Sequence, residues 1–232
     1  MKRIGIIGAM ELEVEALKKN MIIRRRVERT SMEFLEGTLD GVEVVIVRSG
    51  IGKVNAALCT QILCDIFKVT HIINTGVAGS LKNEINIGDI VVSVDALHHD
   101  MDVRVFGYQL GEVPQMGRLA FEADEKLIQT AVTSCREVNP DIAVYQGRVV
   151  SGDQFISDKQ VKQSIIDNFQ GFCVEMEGAS IAHAAHLNHV PFVIIRAISD
   201  KADDSAEMDY PSFEKAAAAH SAALVKHMLQ KI

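Results

Sequence analysis

Two periodicities alternate along the chain. Residues 4–7 form a short apolar run bounded by glycines, a pattern that predicts a strand buried on both faces. Residues 10–19 then predict a helix with acidic side chains in its first turn, where the helix dipole favours them. Residues 34–39 and 42–47 predict strands on either side of Asp40-Gly41, a strong hairpin signal. Residues 52–67 carry apolar side chains at 54, 57, 58, 62 and 66, close to helical spacing. Further strands are expected at 71–74, 89–94 and 143–150, a short one ending at 174, and the most apolar of all at 190–198. Further helices are expected at 124–138, 158–169 and 177–187, the last of these rich in alanine and so packed close to the sheet. A final helix runs to about residue 230, with Pro211 in its first turn.

Strands alternating with helices imply a mostly parallel sheet covered on both faces, and the hairpin makes that sheet mixed. The expected fold is α/β: a single-domain, three-layer α/β/α arrangement around a mixed, mostly parallel central sheet. No linker, repeat or low-complexity segment interrupts residues 1–232. At 232 residues and 48% hydrophobic content the chain can build one sizeable core. A net charge of -7 argues against a nucleic-acid partner. The only basic run, Arg24-Arg25-Arg26, reads as a solvated loop ahead of the next strand. The apolar run after Met1-Lys2-Arg3 is too short for a signal peptide and ends in glutamates, and no window is long enough to span a membrane. Cys59, Cys64, Cys135 and Cys173 form no Cys-x-x-Cys pair and read as reduced, mostly buried thiols. A cytoplasmic protein with no membrane partner is expected.

In open α/β sheets, ligands bind beyond the carboxyl ends of the strands. Small and polar residues cluster at six such ends: Gly8 to Glu13, Ser49 to Lys53, Thr75 to Gly79, Ser151 to Ile156, Glu175 to Glu177, and Ser199-Asp200. Gly50-Ile51-Gly52-Lys53 is not a phosphate loop, because Val47 and Val54 stand where that motif needs Gly and Ser or Thr. Gly5-Ile6-Ile7-Gly8 lacks the dinucleotide fingerprint, so no nucleotide cofactor is expected. His98-His99-Asp100 with Asp102 suggests a metal, but adjacent strand residues face opposite ways, which favours a polar loop or subunit contact. Glu175 and Glu177 fit a clamp for a ribose diol, or acidic capping of the next helix. Alternation in the last strand would set Arg196 beside Asp200, with Ser199 holding Asp200; a site carboxylate and a buried Arg–Asp structural pair are both open. Glu13 alone reads as first-turn acidity.

Taken together, the blocks GIIGAMELEVEAL, SGIGKVNAA, NTGVAG, HHDMDVRVFGY, VSGDQFI, VEMEGASIAH and VPFVIIRAISDKAD resemble, in order and spacing, the purine nucleoside phosphorylase and nucleosidase superfamily. They are most similar to its bacterial branch acting on 5′-methylthioadenosine and S-adenosylhomocysteine. The resemblance implies a phosphorylase/hydrolase-like fold, a homodimer, and no metal or cofactor. It implies hydrolysis of the N-glycosidic bond of adenine nucleosides, 5′-deoxyadenosine included, in methionine salvage. By position, Asp200 resembles the general acid to adenine N7, Ser199 its orienting partner, and Glu13 the base that activates water. Glu177, with Glu175 and Met176, resembles the ribose contact, and Arg196 a nearby site residue. Phe155 and Ile156 resemble the adenine pocket, and Met10 and Ile51 the ribose and 5′ region. Val103 and Phe106 resemble residues that close the alkylthio pocket of the other subunit. Val77 stands where many members carry Ser, and Tyr210 where Phe is usual over the ribose. A phosphorylase, an aminodeoxyfutalosine hydrolase and a non-catalytic nucleoside binder remain the alternatives. The first glycine loop, with glutamates and no arginine, favours water over phosphate; Arg48 and Lys53 are the possible exceptions.

Overall fold

Glycine-bounded apolar runs become the inner strands of one sheet. In the computed structural model, which describes residues 2–232, β1 (Ile4–Gly8) lies parallel between β4 (Val42–Arg48) and β5 (His71–Ser80), with all of its residues buried. β5 also pairs in parallel with β10 (Phe192–Asp200). β6 (Ile90–His98) runs antiparallel to β10 and parallel to β8 (Val144–Ser151). β2 (Met21–Arg29) and β3 (Met32–Leu39) extend the sheet from β4 as an antiparallel meander. The short β7 (Phe121–Glu122) and β9 (Cys173–Glu175) complete a mixed ten-stranded sheet.

Six helices accompany it: α1 (Glu11–Asn20), α2 (Lys53–Asp65), α3 (Glu125–Val138), α4 (Lys159–Phe169), α5 (Gly178–Leu187) and α6 (Ala206–Leu229). Strand alternation sorts the core into two. Ile4, Val193 and Ile195 pack with residues of α1, α3 and α6; Ile7, Ile194 and Ile198 pack with α2 and α5. A strand covered on both faces has no polar side to display, which is why β10 reads as one apolar run. Ala179, Ala182 and Ala185 of α5 are fully buried, as expected for close packing. All four cysteines are free and buried, and burial pushes the Cys59 and Cys173 thiols up. Among the described residues no helix is long and apolar enough to cross a membrane.

Three local expectations are corrected. Arg24, Arg25 and Arg26 lie within β2, an edge strand whose charged side chains face solvent and pair with Glu43, Glu36 and Glu33; cross-strand charge pairing replaces the alternation that would have marked a strand. β5 does not end at Asn74 but runs to Ser80, because Thr75 to Gly79 stay buried and pair with β10 and β9. Pro211 lies inside α6 rather than in its first turn, since the helix already begins at Ala206. There Ser205 Oγ lies within hydrogen-bond distance of the Asp203 (2.9 Å) and Asp209 (2.6 Å) carboxylates, to either of which its one proton can be donated, and this supports the earlier start.

Candidate active site

The carboxyl ends of β1, β5 and β10 surround a cavity of about 530 Å³. Met10 and Glu13 enter from the start of α1, Ile51 from the loop after β4, and Val77 from β5 itself. Glu175, Met176 and Glu177 arrive from the junction of β9 and α5, Ser199 and Asp200 from β10, Phe155 from the loop after β8, and Tyr210 from α6. Ile156 lines a small adjoining recess with Phe155 and Asp200. The strand-end reading thus brings together residues from six separate segments.

Asp200 is buried and held at both oxygens: Ser199 Oγ donates to Oδ2 (2.8 Å) and the Ala202 N–H to Oδ1 (2.7 Å). Its expected neighbour Arg196 is not there. A register shift between Ile198 and Asp200 breaks the alternation that would have put the two side chains on one face. Arg196 pairs with Glu175 instead, so the Arg–Asp structural pair is overturned. With no cation beside it among the described residues, the Asp200 carboxyl is pushed up by burial, against the two hydrogen bonds that favour its charged form.

Glu13 lies in the first turn of α1, as its position suggests, but it is buried. Its side chain turns inward, accepting from the Met10 N–H at Oε2 (2.9 Å) and from the Val77 N–H at Oε1 (3.1 Å). A Cβ at position 76 would collide with both Glu13 Oε1 and Arg196 Nη1, so only glycine lets these two groups approach across β5. Burial raises the Glu13 pKa; Arg196 and the backbone donors oppose it.

Glu175 and Glu177 are held differently. Glu175 accepts from Ser151 Oγ, Arg196 Nη2 and the backbone N–H groups of Glu177 (3.1 Å) and Gly178 (2.8 Å). It is the helix-capping carboxylate, and both its oxygens are engaged. Glu177 accepts one hydrogen bond, from the Gly52 N–H (2.8 Å), and its Oε2 stands 3.8 Å from Arg196. Burial and the neighbouring Glu175 push the Glu177 carboxyl up to about 8. Arg196 is fully buried; Nη2 also donates to Asn74 Oδ1 (2.7 Å), while Nε and Nη1 have no protein acceptor.

Phe155 meets Tyr210 edge-on with ring centroids 5.7 Å apart, and the Tyr210 hydroxyl donates to Met10 Sδ (3.2 Å). Val103 and Phe106 lie outside this chain's cavity; Val103 immediately precedes, and Phe106 ends, a short helical turn (Arg104–Phe106), and Phe106 is 78% exposed. Neither Arg48 nor Lys53 lines the cavity, and the Lys53 ammonium is held by Asp100 (2.6 Å). Among the described residues no three or more His, Cys, Asp or Glu side chains, His98 and His99 included, are placed so that they could hold a metal ion. Two supports escaped residue-by-residue reading. Asn74 carried one signal, an amide within an apolar run. Gly52 carried none, because its amide, not its side chain, makes the contact.

The profile of the phosphorylase superfamily matches residues 3–230. The 5′-methylthioadenosine/S-adenosylhomocysteine nucleosidase of an Exiguobacterium species is 44% identical, over 99% of this chain and 98% of that protein. The Neisseria meningitidis enzyme of that name, solved in complex with methylthio-immucillin-A, superposes with a TM-score of 0.96 at 40% identity, covering 100% of both chains. Futalosine hydrolase of Helicobacter pylori superposes with a TM-score of 0.94 at 32% identity, covering 100% of this chain and 98% of that one.

Proposed function

This chain belongs to the phosphorylase superfamily, and we propose from that premise that it hydrolyses the N-glycosidic bond of 5′-methylthioadenosine and S-adenosylhomocysteine, and of 5′-deoxyadenosine, releasing adenine and the 5-substituted ribose. One observation carries the mechanism: two buried carboxyls of one cavity sit in different surroundings, Asp200 without a cation and Glu13 beside Arg196.

Adenine leaves poorly as an anion, so the departing base must be protonated at N7 as the C–N bond breaks. Asp200 supplies that proton: burial favours its protonated form, and Ser199 and Ala202 fix its direction. Charge then builds on the sugar in an oxocarbenium-like state. Glu177 holds the ribose diol and, in its ionised form, sets negative charge beside the developing cation. Glu13 takes the proton of the attacking water, and the Arg196 guanidinium, which it meets across Gly76, favours its ionised form. Phe155 stacks on adenine, Ile156 reads it through its backbone, and Met10, Ile51, Met176, Val77 and Tyr210 wall the ribose and 5′ region. Glu175 acts through its neighbours, fixing the backbone of Glu177 and the guanidinium of Arg196.

The nucleophile is water. The charged side chains lining the cavity are all carboxylates, Glu13, Glu175, Glu177, Asp200 and Glu207, and an oxyanion placed among them would be repelled. Incubation with methylthioadenosine gives equal rates of adenine release with and without phosphate, and free methylthioribose rather than its 1-phosphate as the sugar product, read by chromatography. A requirement for phosphate would establish a phosphorylase instead.

The 232 residues act as one three-layer domain, paired as a homodimer. Val103 and the exposed Phe106 reach the neighbour's pocket and close its 5′ end. Specific activity therefore falls on dilution in step with the dimer fraction measured by sedimentation. Full activity in a proven monomer would rule this arrangement out.

A further inference from the structure

The hydrolytic chemistry uses neither the Lys53 ammonium of Gly50-Ile51-Gly52-Lys53 nor the acid of His98-His99-Asp100, yet the fold joins them. Lys53 Nζ donates to both oxygens of Asp100 (2.6 and 2.8 Å). The Lys53 N–H donates to Asp153 Oδ1 (2.9 Å), and the Asp153 N–H to Asp100 Oδ2 (3.1 Å). Three strand-end loops, after β4, β6 and β8, thus close into one ring of polar contacts. The Lys53 and Asp100 side chains are only 21% and 24% exposed, so the pair is partly shielded from water. Burial raises the Asp100 carboxyl, but Lys53 and the Asp153 amide outweigh it and hold it below the usual range.

Next to this ring stands Gly52, at φ 97° and ψ 162°, a conformation that is natural only for glycine. Its N–H makes the one hydrogen bond that the Glu177 carboxylate accepts among the described residues, the Arg196 guanidinium standing farther off at 3.8 Å. The direction of that amide therefore helps to set the direction of Glu177. A loop in so unusual a conformation keeps its direction only if its flank is anchored, and Lys53 is the next residue.

We propose that Lys53 and Asp100 form a clasp whose task is to aim the Gly52 amide at Glu177, making both of them positioning residues for the nucleoside's ribose. The inference rests on the reading of Glu177 as the ribose contact. A loose clasp weakens capture of the sugar more than it slows the chemical step, because Asp200 and Glu13 are held by other elements.

The test is steady-state kinetics with methylthioadenosine on Lys53→Met, Asp100→Asn, their combination, Lys53→Arg, and Glu177→Gln alone and together with Lys53→Met, with inhibition by free adenine measured alongside. Each single clasp variant is expected to raise KM about tenfold, the scale of one charge-assisted hydrogen bond, and to lower kcat by less. The combined variant is expected to be no worse than either single one. Lys53→Arg restores most of the loss, and Lys53→Met adds nothing on top of Glu177→Gln. Adenine, which has no ribose, inhibits all the clasp variants as it does the parent; a general loosening of the fold would weaken adenine and nucleoside together, and that result overturns the clasp. So does an unmoved KM, or additive losses in the combined variant. Impairment by Glu177→Gln with none from Lys53→Met removes the clasp and leaves the ribose contact standing. No impairment from Glu177→Gln removes the ribose contact itself.

Discussion

Asp200→Asn is expected to slow adenine release from methylthioadenosine about a thousandfold, within the range that loss of a general acid produces, while the protein stays folded. The substitution keeps the shape of the side chain and removes only the transferable proton. The Ala202 N–H still finds an oxygen at Oδ1, and Ser199 Oγ has a second acceptor in the Ala78 carbonyl at 3.4 Å. The pH profile supplies a second signature. Asp200 must be protonated to act, and burial raises its pKa, so parental kcat/KM falls as pH rises through that pKa; the variant lacks this alkaline limb. The substitution is not expected to cost stability. A carboxyl whose folded pKa is raised loses stability for the fold as pH rises through it, and Asn carries no such charge, so the variant should melt no lower than the parent at neutral pH. Activity within tenfold of the parent, or an alkaline limb left in place, would remove Asp200 from the proton-donor role.

Glu13→Gln is expected to cost a similar factor, about a thousandfold, from loss of the general base. Gln brings an amide N–H2 to a carboxylate site whose two oxygens accept from the Met10 and Val77 amides, so one donor must face another and the water loses its acceptor. Glu13 works only when ionised, and burial raises its pKa; activity therefore declines as pH falls. Glu177, pushed up to about 8, lies in the same cluster around Arg196. The acid limb belongs to the coupled group, and Glu13→Gln should displace that limb rather than erase it. Retention of more than a tenth of parental kcat with intact circular dichroism would show that the water is activated elsewhere.

Particular residues mark how far the sequence carried these expectations. Asp200 and Glu177 were legible as candidates because each followed a predicted strand, and polar groups beyond strand ends in an α/β sheet converge; Glu13, read locally as first-turn acidity, was singled out only by the family resemblance. The partner of Arg196 was not legible. Two-residue alternation pointed to Asp200, and one register shift after Ile198 undid it. The choice between Glu175 and Glu177 was equally closed to local reading, since both flank Met176 at the same helix start; Ser151 and Arg196, 24 and 21 residues away, decide which carboxylate is engaged and which stays open.

The sequence by itself determined the alternation of strands and helices, the two-faced burial of β10 and the set of strand-end segments that make the cavity, because hydrophobic period and glycine placement act over a few residues at a time. Only the tertiary structure decided that Arg24 to Arg26 form an edge strand, that Arg196 serves Glu175 rather than Asp200, that the Gly52 amide donates to Glu177, and that Lys53 is bound to Asp100. Each of these depends on which distant segment lies alongside and which way one side chain turns, and burial makes the energy of such a contact depend on its partner rather than on its own residue type.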